Sequence, residues 1–358
     1  MSPRSVGVEE EFLLVEPGTG RPRAVAGTVL RTGGPDLEGE LQEQQLETNS
    51  QPCKSLADLH RELRRGRTAA AEAAGRAGAQ VAALATLPVP VEPSPLRTSR
   101  YEQMAEDYGM TAQEQLTCGC HVHVGIDSDE EGVAVLDRIG PWLATLLALS
   151  ANSPFWHGRD SSYASFRYQV WGRWPTSGPT GPFGTARAYR ETIQQMVETE
   201  TIIDPGMVYF NARLSDRYPT IEVRIADVCL RTGDAVLTAG LVRALVETEA
   251  RAWREGRPAL ETRTELLRLA AWRASRSGLA GALVSPVTAQ PEPAAAVISA
   301  LVEHCREALG DAGDAGATAE LLADLLGRGN GAVFQREEYG RSGSLPAMIS
   351  RAVDVTGS

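Results

Sequence analysis

The chain has 358 residues, of which 42% are hydrophobic and 23% are charged, and its formal net charge is −11. Such a chain can bury one large core or two smaller ones, as a globular protein does. The acidic charge argues against a nucleic-acid partner, because that partner requires a basic surface. The chain begins with charged residues rather than a secretory leader, and its longest near-apolar run, residues 141–151, is shorter than a membrane span. We therefore expect a cytoplasmic protein without a membrane partner.

Strand signals, with Gly and Pro turns between them, occur in the first half of the chain and again after residue 200. These segments combine β-branched and aromatic residues with alternating polarity, which is typical of half-buried strands. They predict strands at residues 5–15, 22–30, 38–49, 116–126, 207–213 and 219–227.

Helical signals separate these strands and dominate the C-terminal third. Ser55 and Asp58 have the spacing of a capping box, and the alanine-rich stretch after them predicts a helix to about Thr86. A loop rich in proline follows at residues 88–95. Further helices are predicted at residues 101–115, at 129–151 with a break or kink near Pro141, at 185–199, and over most of the chain after Gly233.

Residues 152–184 form a long irregular stretch that is rich in Gly, Pro, Trp, Tyr and Arg. Loops of this length inside a compact domain are usually functional, so we expect a lid or a binding loop, with local packing of its tryptophans as the alternative. Together the elements predict an α+β fold of one domain, residues 1–358, sheet-rich over 1–228 and helical over 233–358. Its sheet is expected to be curved, mainly antiparallel and backed by helices.

Three predicted strands each carry charged or imidazole side chains on one face, because side chains alternate across a strand. A face of this kind is costly to bury unless it holds cations and an anionic ligand. The pattern therefore predicts a metal–phosphate site. Its pairs are Glu9 with Glu11, His121 with His123, and Glu222 with Arg224.

Carboxylates from separate strands are the ligands that Mg²⁺ prefers beside phosphate oxygens. Glu9, Glu11, Glu47 and Glu222 would suit two or three Mg²⁺ or Mn²⁺ ions that bridge a nucleoside triphosphate. His121 is a further candidate ligand, which Mn²⁺ accepts more readily than Mg²⁺. The alternative is that these groups form surface ion pairs on an amphipathic sheet.

Two arginines and one missing motif bear on phosphate binding. Arg167 and Arg224 have the planar fork that fits a carboxylate or a phosphate. The sequence has no Walker-type glycine-rich segment ending in Lys and Ser or Thr. Any phosphates must therefore be held by metals and side chains.

The five cysteines do not indicate a disulfide framework, because their number is odd and their spacing is irregular. Cys118 and Cys120 lie next to the two histidines and raise the question of a zinc site. Alternation places both cysteines on the strand face opposite the histidines, and structural zinc sites usually combine two such clusters. We therefore do not expect structural zinc.

Five segments, in this order, resemble the carboxylate–amine ligase family, the glutamate–cysteine ligase type 2 group: GVEEEFLLV, LQEQQLETNSQP, GCHVHVGI, ALSANSPFWHGRDSSYASFR and TIEVRIAD. The likeness extends from Val6 to the GNGAVFQREEYGRSGS tail. It implies a funnel-shaped antiparallel sheet related to glutamine synthetase. It also implies that ATP phosphorylates the γ-carboxylate of glutamate and that an amine then displaces the phosphate.

The resemblance assigns metal ligands by position. Glu9 and Glu11 match the acidic pair that holds Mg²⁺ against the ATP phosphates. Glu47 and Glu222 match two further metal carboxylates. Glu40 lies where relatives often have aspartate, and its longer side chain could displace that ligand, so it ranks lower among the metal candidates.

The resemblance also assigns the groups around the reacting atoms. His121 matches a strand histidine that contacts metal or phosphate, and His123 lies one strand step away on the same face, where it could contact substrate. Arg224 matches a group that faces the transferred phosphoryl of ATP, and Arg167 matches an arginine near the amino-acid substrate. These four are the candidate catalytic and substrate-binding residues.

The expected function is an ATP-dependent ligase that joins glutamate, or a similar acid, to an amine. A metal-dependent amidase or phosphatase is one alternative, since carboxylate–histidine clusters also build two-metal hydrolases. A nucleotide or amino-acid sensor without turnover is the other. The amine, which is cysteine or another amino acid, and the oligomeric state stay open.

Overall fold

The computed structural model describes residues 2–34 and 36–358 and contains one large antiparallel sheet, two small two-stranded sheets and helices that pack on them. The strands are β1 Val6–Val15, β2 Leu37–Glu38, β3 Gln45–Asn49, β4 Gln80–Ala82, β5 Gly119–Gly125, β6 Phe155–Trp156, β7 Arg159–Asp160, β8 Ala212–Leu214, β9 Thr220–Asp227, β10 Ala282–Val284 and β11 Pro291–Pro293. The helices are α1 Ala26–Thr32, α2 Leu56–Arg76, α3 Ser99–Tyr108, α4 Met110–Gln113, α5 Asp129–Ser150, α6 Arg167–Trp171, α7 Ala186–Glu198, α8 Thr232–Arg254, α9 Thr264–Ser277, α10 Ala294–His304, α11 Arg306–Ala312, α12 Ala315–Arg328, α13 Gly331–Ser342 and α14 Leu345–Thr356.

The large sheet has the strand order β2-β3-β1-β5-β9-β8, and β4 pairs with the second half of β1. Every strand pair in it is antiparallel. β1 and β5 lie at its centre, and the register shifts by a bulge between Cys120 and Val122 where β5 meets β9. The predicted α+β class with a mainly antiparallel sheet is confirmed.

One face of the sheet is apolar and is covered by helices. Valines of β1, β5 and β9 join the inward sides of α5 and α8 in one core. By length and hydropathy α5 could cross a membrane, but 83% of its apolar window is buried inside the protein, as in a core helix. The helix also continues through Pro141, so the predicted break there is wrong.

The C-terminal helices share the core of the sheet. α8 and α10 contribute to the cluster beneath β5 and β9, and Met348 and Ile349 of α14 lie in a second cluster with Val81 of β4. The single-domain interpretation rests on this shared core.

The predicted strand at residues 22–30 is wrong, because its second half forms α1. Long-range bonds from Glu43 fix the start of this helix. The Glu43 carbonyl accepts from the backbone N–H groups of Val25 and Ala26, both at 2.9 Å, and its carboxylate accepts from Gly27 N–H. Local alternation could not reveal a cap that comes from another part of the chain.

The alanine-rich helix is shorter than predicted. Ser55 caps α2 as expected, accepting from Asp58 N–H at 3.1 Å. The helix ends at Arg76, and Gly78 then adopts a φ of +69°, which glycine tolerates. The chain reverses there and residues 80–82 pair with β1 instead of extending the helix.

Three other predicted elements differ at their boundaries. The strand predicted at 38–49 is split into β2 and β3, and the helix predicted at 101–115 is split into α3 and α4 by Gly109. The strand predicted at 207–213 begins later, since residues 205–207 form a 3₁₀ turn. The helix predicted at 185–199 matches α7.

Residues 152–184 contain the β6–β7 hairpin and α6, and the start of the segment is tied to the sheet. The Asn152 amide donates to the carbonyls of Ala83 and Val228, each at 2.8 Å. Ser153 and Ser165 donate to the buried carboxylate of Asp227. Because this end is anchored, any lid motion would have to involve the rest of the segment, and the lid role stays a prediction.

Candidate active site

The site is built on the polar face of the central strands, and β1 shows how alternation separates this face from the core. Glu9 and Glu11 lie on the polar face, whereas Glu10 lies on the other face, where it is fully buried. Arg67 of α2 donates to both oxygens of Glu10, at 3.0 and 2.6 Å. The sequence placed Glu10 on the apolar face but did not reveal its buried ion pair.

Glu9 lies between the two histidines of β5. Its Oε2 is 3.2 Å from His121 Nδ1, and its Oε1 is 3.1 Å from His123 Nε2. Burial alone would raise the pKa of Glu9, but the two imidazoles outweigh it and lower the pKa below its ordinary value. Glu9 is therefore an ionised carboxylate at the centre of the site.

A cluster of three carboxylates lies at one end of this face. Glu11 faces Glu47 across the β1–β3 pair, and one oxygen from each of these residues and one from Glu40 lie within 4.8 Å of one another. Burial, and then the charge of Glu11, raise the pKa of Glu40 to about 7. Burial and the neighbouring glutamates raise the pKa of Glu47 well above its ordinary value. A divalent cation would relieve this repulsion.

Two further groups continue the row across the sheet. The first combines Glu9, Glu47 and His121, and the second combines Glu9, His123 and Glu222, each with ligand atoms within 4.8 Å of one another. The ring nitrogens His121 Nε2 and His123 Nε2 are buried and accept no hydrogen bond from the described residues. Hard carboxylate oxygens with one imidazole per group fit Mg²⁺ or Mn²⁺.

Neighbouring groups hold the two imidazoles in a way that favours binding of a cation. Thr220 Oγ1 lies 3.0 Å from His123 Nδ1, which orients the ring with Nε2 toward Glu9. Burial, and then the charge of Arg224, lower the pKa of His121. A neutral His121 can donate a lone pair to a cation.

Glu222 is held by two arginines. Arg213 Nε lies 2.7 Å from its Oε2, and Arg224 Nη1 contacts its Oε1. Burial would raise the pKa of Glu222, but the charges of Arg224 and then Arg213 lower it. The sequence missed Arg213, because β8 is too short to show alternation, although it lies directly opposite Glu222 in the register.

Arg167 lies beneath the site rather than in its cavity. It is 2% exposed, and its guanidinium lies 5.6 Å from the ring of Trp171. Its Nη1 is 3.9 Å from the buried carboxylate of Asp227, which helps to hold the guanidinium in place. A Cβ added to Gly119 would overlap both Arg167 Nη2 and His121 Nε2, which shows that the two groups meet over this glycine. Contact between Arg167 and substrate stays a prediction.

A cavity of about 460 Å³ lies over the polar face. Its walls include the row of glutamates, both histidines and Arg224. Tyr101, Trp171 and Tyr209 add an aromatic part to its wall. Burial raises the pKa of Tyr209 to about 12, so its phenol stays neutral.

The sequence model described as glutamate-cysteine ligase family 2 (GCS2) matches residues 5–338 of this chain. The chain belongs to this family. A Streptomyces avermitilis protein provisionally named glutamate–cysteine ligase 2-1 is 55% identical over 359 aligned residues, covering 99% of each chain. A Streptomyces coelicolor protein provisionally named glutamate–cysteine ligase 2 is 53% identical over 359 aligned residues, again covering 99% of each chain. The resemblance drawn from the ordered motifs is confirmed.

Solved structures show the same fold at low sequence identity. The Francisella tularensis glutamate–cysteine ligase in complex with AMP has a TM-score of 0.73 and 12% identity, covering 100% of this family member and 90% of that chain. The Pasteurella multocida bifunctional glutathione synthetase has a TM-score of 0.70 and 16% identity, covering 99% of this chain and 52% of that one. Together they confirm the fold class of this GCS2 family member.

Proposed function

We propose that the protein is an ATP-dependent ligase that activates a carboxylic acid, the γ-carboxylate of glutamate or a similar group, and joins it to an amine such as cysteine or another amino acid. The observation that carries the proposal is the row of three carboxylate–imidazole groups across the sheet, with Arg224 beside it. The relatives named as glutamate–cysteine ligases support it. Their names alone do not decide the donor or the amine.

The residues present fit divalent cations, and the types of ligand atom in each group indicate which cations would bind. Glu11, Glu40 and Glu47 would hold one ion through oxygen alone, while the groups around Glu9 would each add an imidazole. A bound Mg²⁺ or Mn²⁺ draws negative charge from phosphate oxygens. Without cations these carboxylates would repel a triphosphate.

The reaction needs two displacements, and the protein favours both by position and charge. In the first, a donor carboxylate oxygen attacks the γ-phosphorus of ATP, and ADP leaves with the electrons of the broken P–O bond. Arg224, which lines the cavity 3.3 Å from His121, would stabilise the charge on the transferred group.

In the second displacement the amine attacks the acyl carbon, phosphate leaves, and the amine loses a proton to give an amide. Phosphate is a far better leaving group than oxide, which is why activation comes first. The acyl phosphate must be kept from water until then. Trp171, from the segment at 152–184, covers the guanidinium of Arg224 at 5.9 Å and would help to exclude water there.

Two other functions remain as alternatives to the ligase. Dinuclear hydrolases usually show more histidine and aspartate ligands than this row, which is mainly glutamate. A sensor without turnover would not need every one of these carboxylates. The ligase proposal places the reaction in the cytoplasm, where ATP and free amino acids are abundant, and it requires no nucleic-acid or membrane partner.

One experiment separates the three. Purified protein is given ATP, Mg²⁺, glutamate and a panel of single amines, and ADP and product mass are measured. The ligase predicts ADP release that depends on both glutamate and an amine, with a product equal to their sum minus water. Release of phosphate from ATP alone, or cleavage of an amide without ATP, would indicate a hydrolase. ATP binding without product in any mixture would indicate a sensor.

The matched control is Glu265→Gln, an exposed residue of α9 that forms an ion pair with its near neighbour Arg263. It should turn over as the wild type does. Glu9→Gln in the same preparation should not.

A further inference from the structure

One part of the cavity wall comes from outside the sheet, from the segment around α3. We call residues 97–111 the α3 segment. Its side chains Arg100, Tyr101 and Met104 line the cavity. Any movement of the α3 segment would therefore change the shape of the cavity and the access to the row of glutamates.

The backbone of the α3 segment is attached to the rest of the protein only at its two ends. Just before it, Leu96 N–H donates to the Leu41 carbonyl at 2.9 Å. Just after it, the Ala112 carbonyl accepts from the side chain of Gln42 at 2.9 Å. Among the residues that the structure describes, the backbone groups of residues 97–111 form hydrogen bonds only within this part of the chain. The segment can therefore move without breaking a long-range backbone bond.

α3 is also too short to be stable on its own. It has 10 residues, and its one buried side chain is that of Met104. Isolated helices shorter than about 12–15 residues are marginal in water. It ends at Gly109, whose φ of +51° is tolerated by glycine. If α3 left the protein surface, it would therefore lose its helical hydrogen bonds.

Polar contacts hold α3 against residues 201–208, the turn before β8. Arg100 Nη2 lies 3.1 Å from Asp204 Oδ1, in an ion pair whose two side chains are 36% and 41% exposed. The hydroxyl of Tyr108 donates to the backbone carbonyl of Thr201. Such exposed contacts are individually weak, so they can break and re-form.

The apolar contacts of α3 belong to a small cluster that is separate from the two large cores. Met104 is the member of this cluster from α3, and Met207 is its member from the 3₁₀ turn. The rings of Tyr108 and Trp174 meet with centroids 5.0 Å apart. Because the cluster is small, separating its two sides exposes less apolar surface than opening either core would.

The turn that holds α3 is itself fixed to the site. Arg213, which binds Glu222, also donates to the backbone carbonyls of Gly206 and Val208, at 3.2 and 3.0 Å. Residues 201–208 are therefore the fixed side of the contact, and α3 is the side that can move.

The irregular segment at 152–184, which the sequence suggested as a lid, is held along its length. In its middle, the Gly178 carbonyl accepts from Asn211 N–H at 2.9 Å. At its end, the carboxylate of Asp137 accepts from Phe183 N–H at 2.8 Å. These are the long-range backbone bonds that the α3 segment lacks.

We propose that the α3 segment is the mobile part of the cavity wall and that the ion pair of Arg100 with Asp204 holds it closed. Arg100 and Asp204 are then positioning residues: the pair opens to admit substrates and re-forms behind them. One consequence rests on the proposed function. The closed segment would keep water from the acyl phosphate until the amine attacks.

The test is amide hydrogen exchange of the full chain without ligands, read by mass spectrometry. Residues 102–108 should exchange at least roughly tenfold faster than residues 142–149 of α5, because α3 unfolds when it opens. Asp204→Asn should speed exchange of α3 roughly two- to fivefold more, as expected for an exposed ion pair. Arg100→Gln should have the same effect, and the double variant should exceed neither single variant.

The matched control is Asp129→Asn, which removes an ion pair of similar exposure between α5 and Arg190. It should leave exchange of α3 unchanged. In steady state, Asp204→Asn should raise the ratio of ATP hydrolysed to amide formed, again roughly two- to fivefold, because the open fraction rises by that factor. The Asp129→Asn protein should keep the wild-type ratio.

Each contrary result has a distinct meaning. Exchange of α3 as slow as that of α5, or slower than that of residues 168–182, would overturn the mobile wall. Wild-type exchange in Asp204→Asn, or additive effects in the double variant, would overturn the role of the ion pair. If the wild type forms no amide from any mixture, the proposed function fails, while the exchange rates still decide whether α3 is mobile.

Discussion

Glu11 of β1 lies directly opposite Glu47 of β3, and both share one carboxylate cluster with Glu40. Such a cluster is unfavourable in the folded protein unless protons or cations neutralise it. Burial and mutual repulsion raise the pKa of Glu47, and they raise that of Glu40 to about 7. The cluster therefore couples the stability of the protein to pH and to divalent cations.

We predict that the metal-free protein becomes less stable as the pH rises from the ordinary glutamate value of 4.5 toward 7. Below 4.5 the carboxyl groups of Glu40 and Glu47 are protonated in both the folded and the unfolded chain, so they cost no stability. Above it, these groups ionise in the unfolded chain while the folded cluster keeps its protons, so stability falls. Mg²⁺ or Mn²⁺ should raise the melting temperature by a few degrees at about pH 7.5 and less at about pH 5. Thermal melts in chelator and in each cation measure this. An equal cation effect at both pH values would contradict it.

Glu47→Gln should separate repulsion from ligation. Removing one charge from the cluster should raise the melting temperature of the metal-free protein and reduce the increase that Mg²⁺ produces. The same melts on Glu265→Gln, which lies on an exposed helix face, should match the wild type. A Glu47→Gln protein that is less stable in chelator would show that Glu47 instead accepts structural hydrogen bonds.

Glu9→Gln and Glu222→Gln should each lower turnover by orders of magnitude while the protein stays folded. Each substitution removes the negative charge of one candidate cation ligand. Excess chelator should abolish turnover of the wild type for the same reason. Steady-state ADP release and circular dichroism measure both halves of the prediction. Wild-type rates in either variant would remove that residue from the set of ligands.

Gly119→Ala tests the close approach of two groups beneath the cavity. The added Cβ would overlap Arg167 Nη2 and His121 Nε2, so we expect a displaced His121 and a loss of activity that exceeds the loss of stability. Gly75→Ala in α2 is the matched control, since its Cβ would meet none of the described side chains within 4 Å and helix propensity favours alanine by roughly 0.5–1 kcal/mol. Activity and melting temperature are measured on both. Full activity in Gly119→Ala would mean that His121 can move without consequence.

Arg167→Lys distinguishes substrate binding from structural support. If the guanidinium contacts a substrate carboxylate, lysine should raise the KM for glutamate and leave that for ATP nearly unchanged, because it replaces a two-pronged donor with a single point charge. If Arg167 only joins Trp171 and Asp227, the variant should melt earlier with an unchanged KM for glutamate. Both constants and the melting temperature are needed from the same preparation.

Alternation within single strands was enough to predict which side chains share the polar face of the sheet. Glu9, Glu11, His121, His123, Glu222 and Arg224 all lie on the polar face as expected. What alternation could not supply was contact between distant segments. Arg213 lies on a strand of three residues, and Asp227 reaches Arg167 only because residues 152–167 fold back over the end of β9.

The fold, like the polar face, was predictable where local patterns decide the structure and not where distant segments do. The antiparallel class and the long helices followed from local patterns, and Ser55 and Asp58 do cap α2. The error at residues 22–30 came from Glu43, which caps α1 from outside the local window. The error after Arg76 arose because β1 offers residues 80–82 a pairing partner that helix propensity does not take into account.

The buried pair of Glu10 and Arg67 has a consequence for strand register. Three glutamates follow one another in β1, so a shift of one residue would still present a carboxylate to the cavity. Arg67 also donates to the backbone carbonyls of Cys229 and Leu230, which fixes its position beneath the sheet independently of Glu10. After such a shift, Glu9 or Glu11 would replace Glu10 on the buried face but would be displaced along the strand from Arg67. The buried guanidinium would then be left with its charge unpaired. The helix beneath the sheet thus selects which two of the three acids face the cavity.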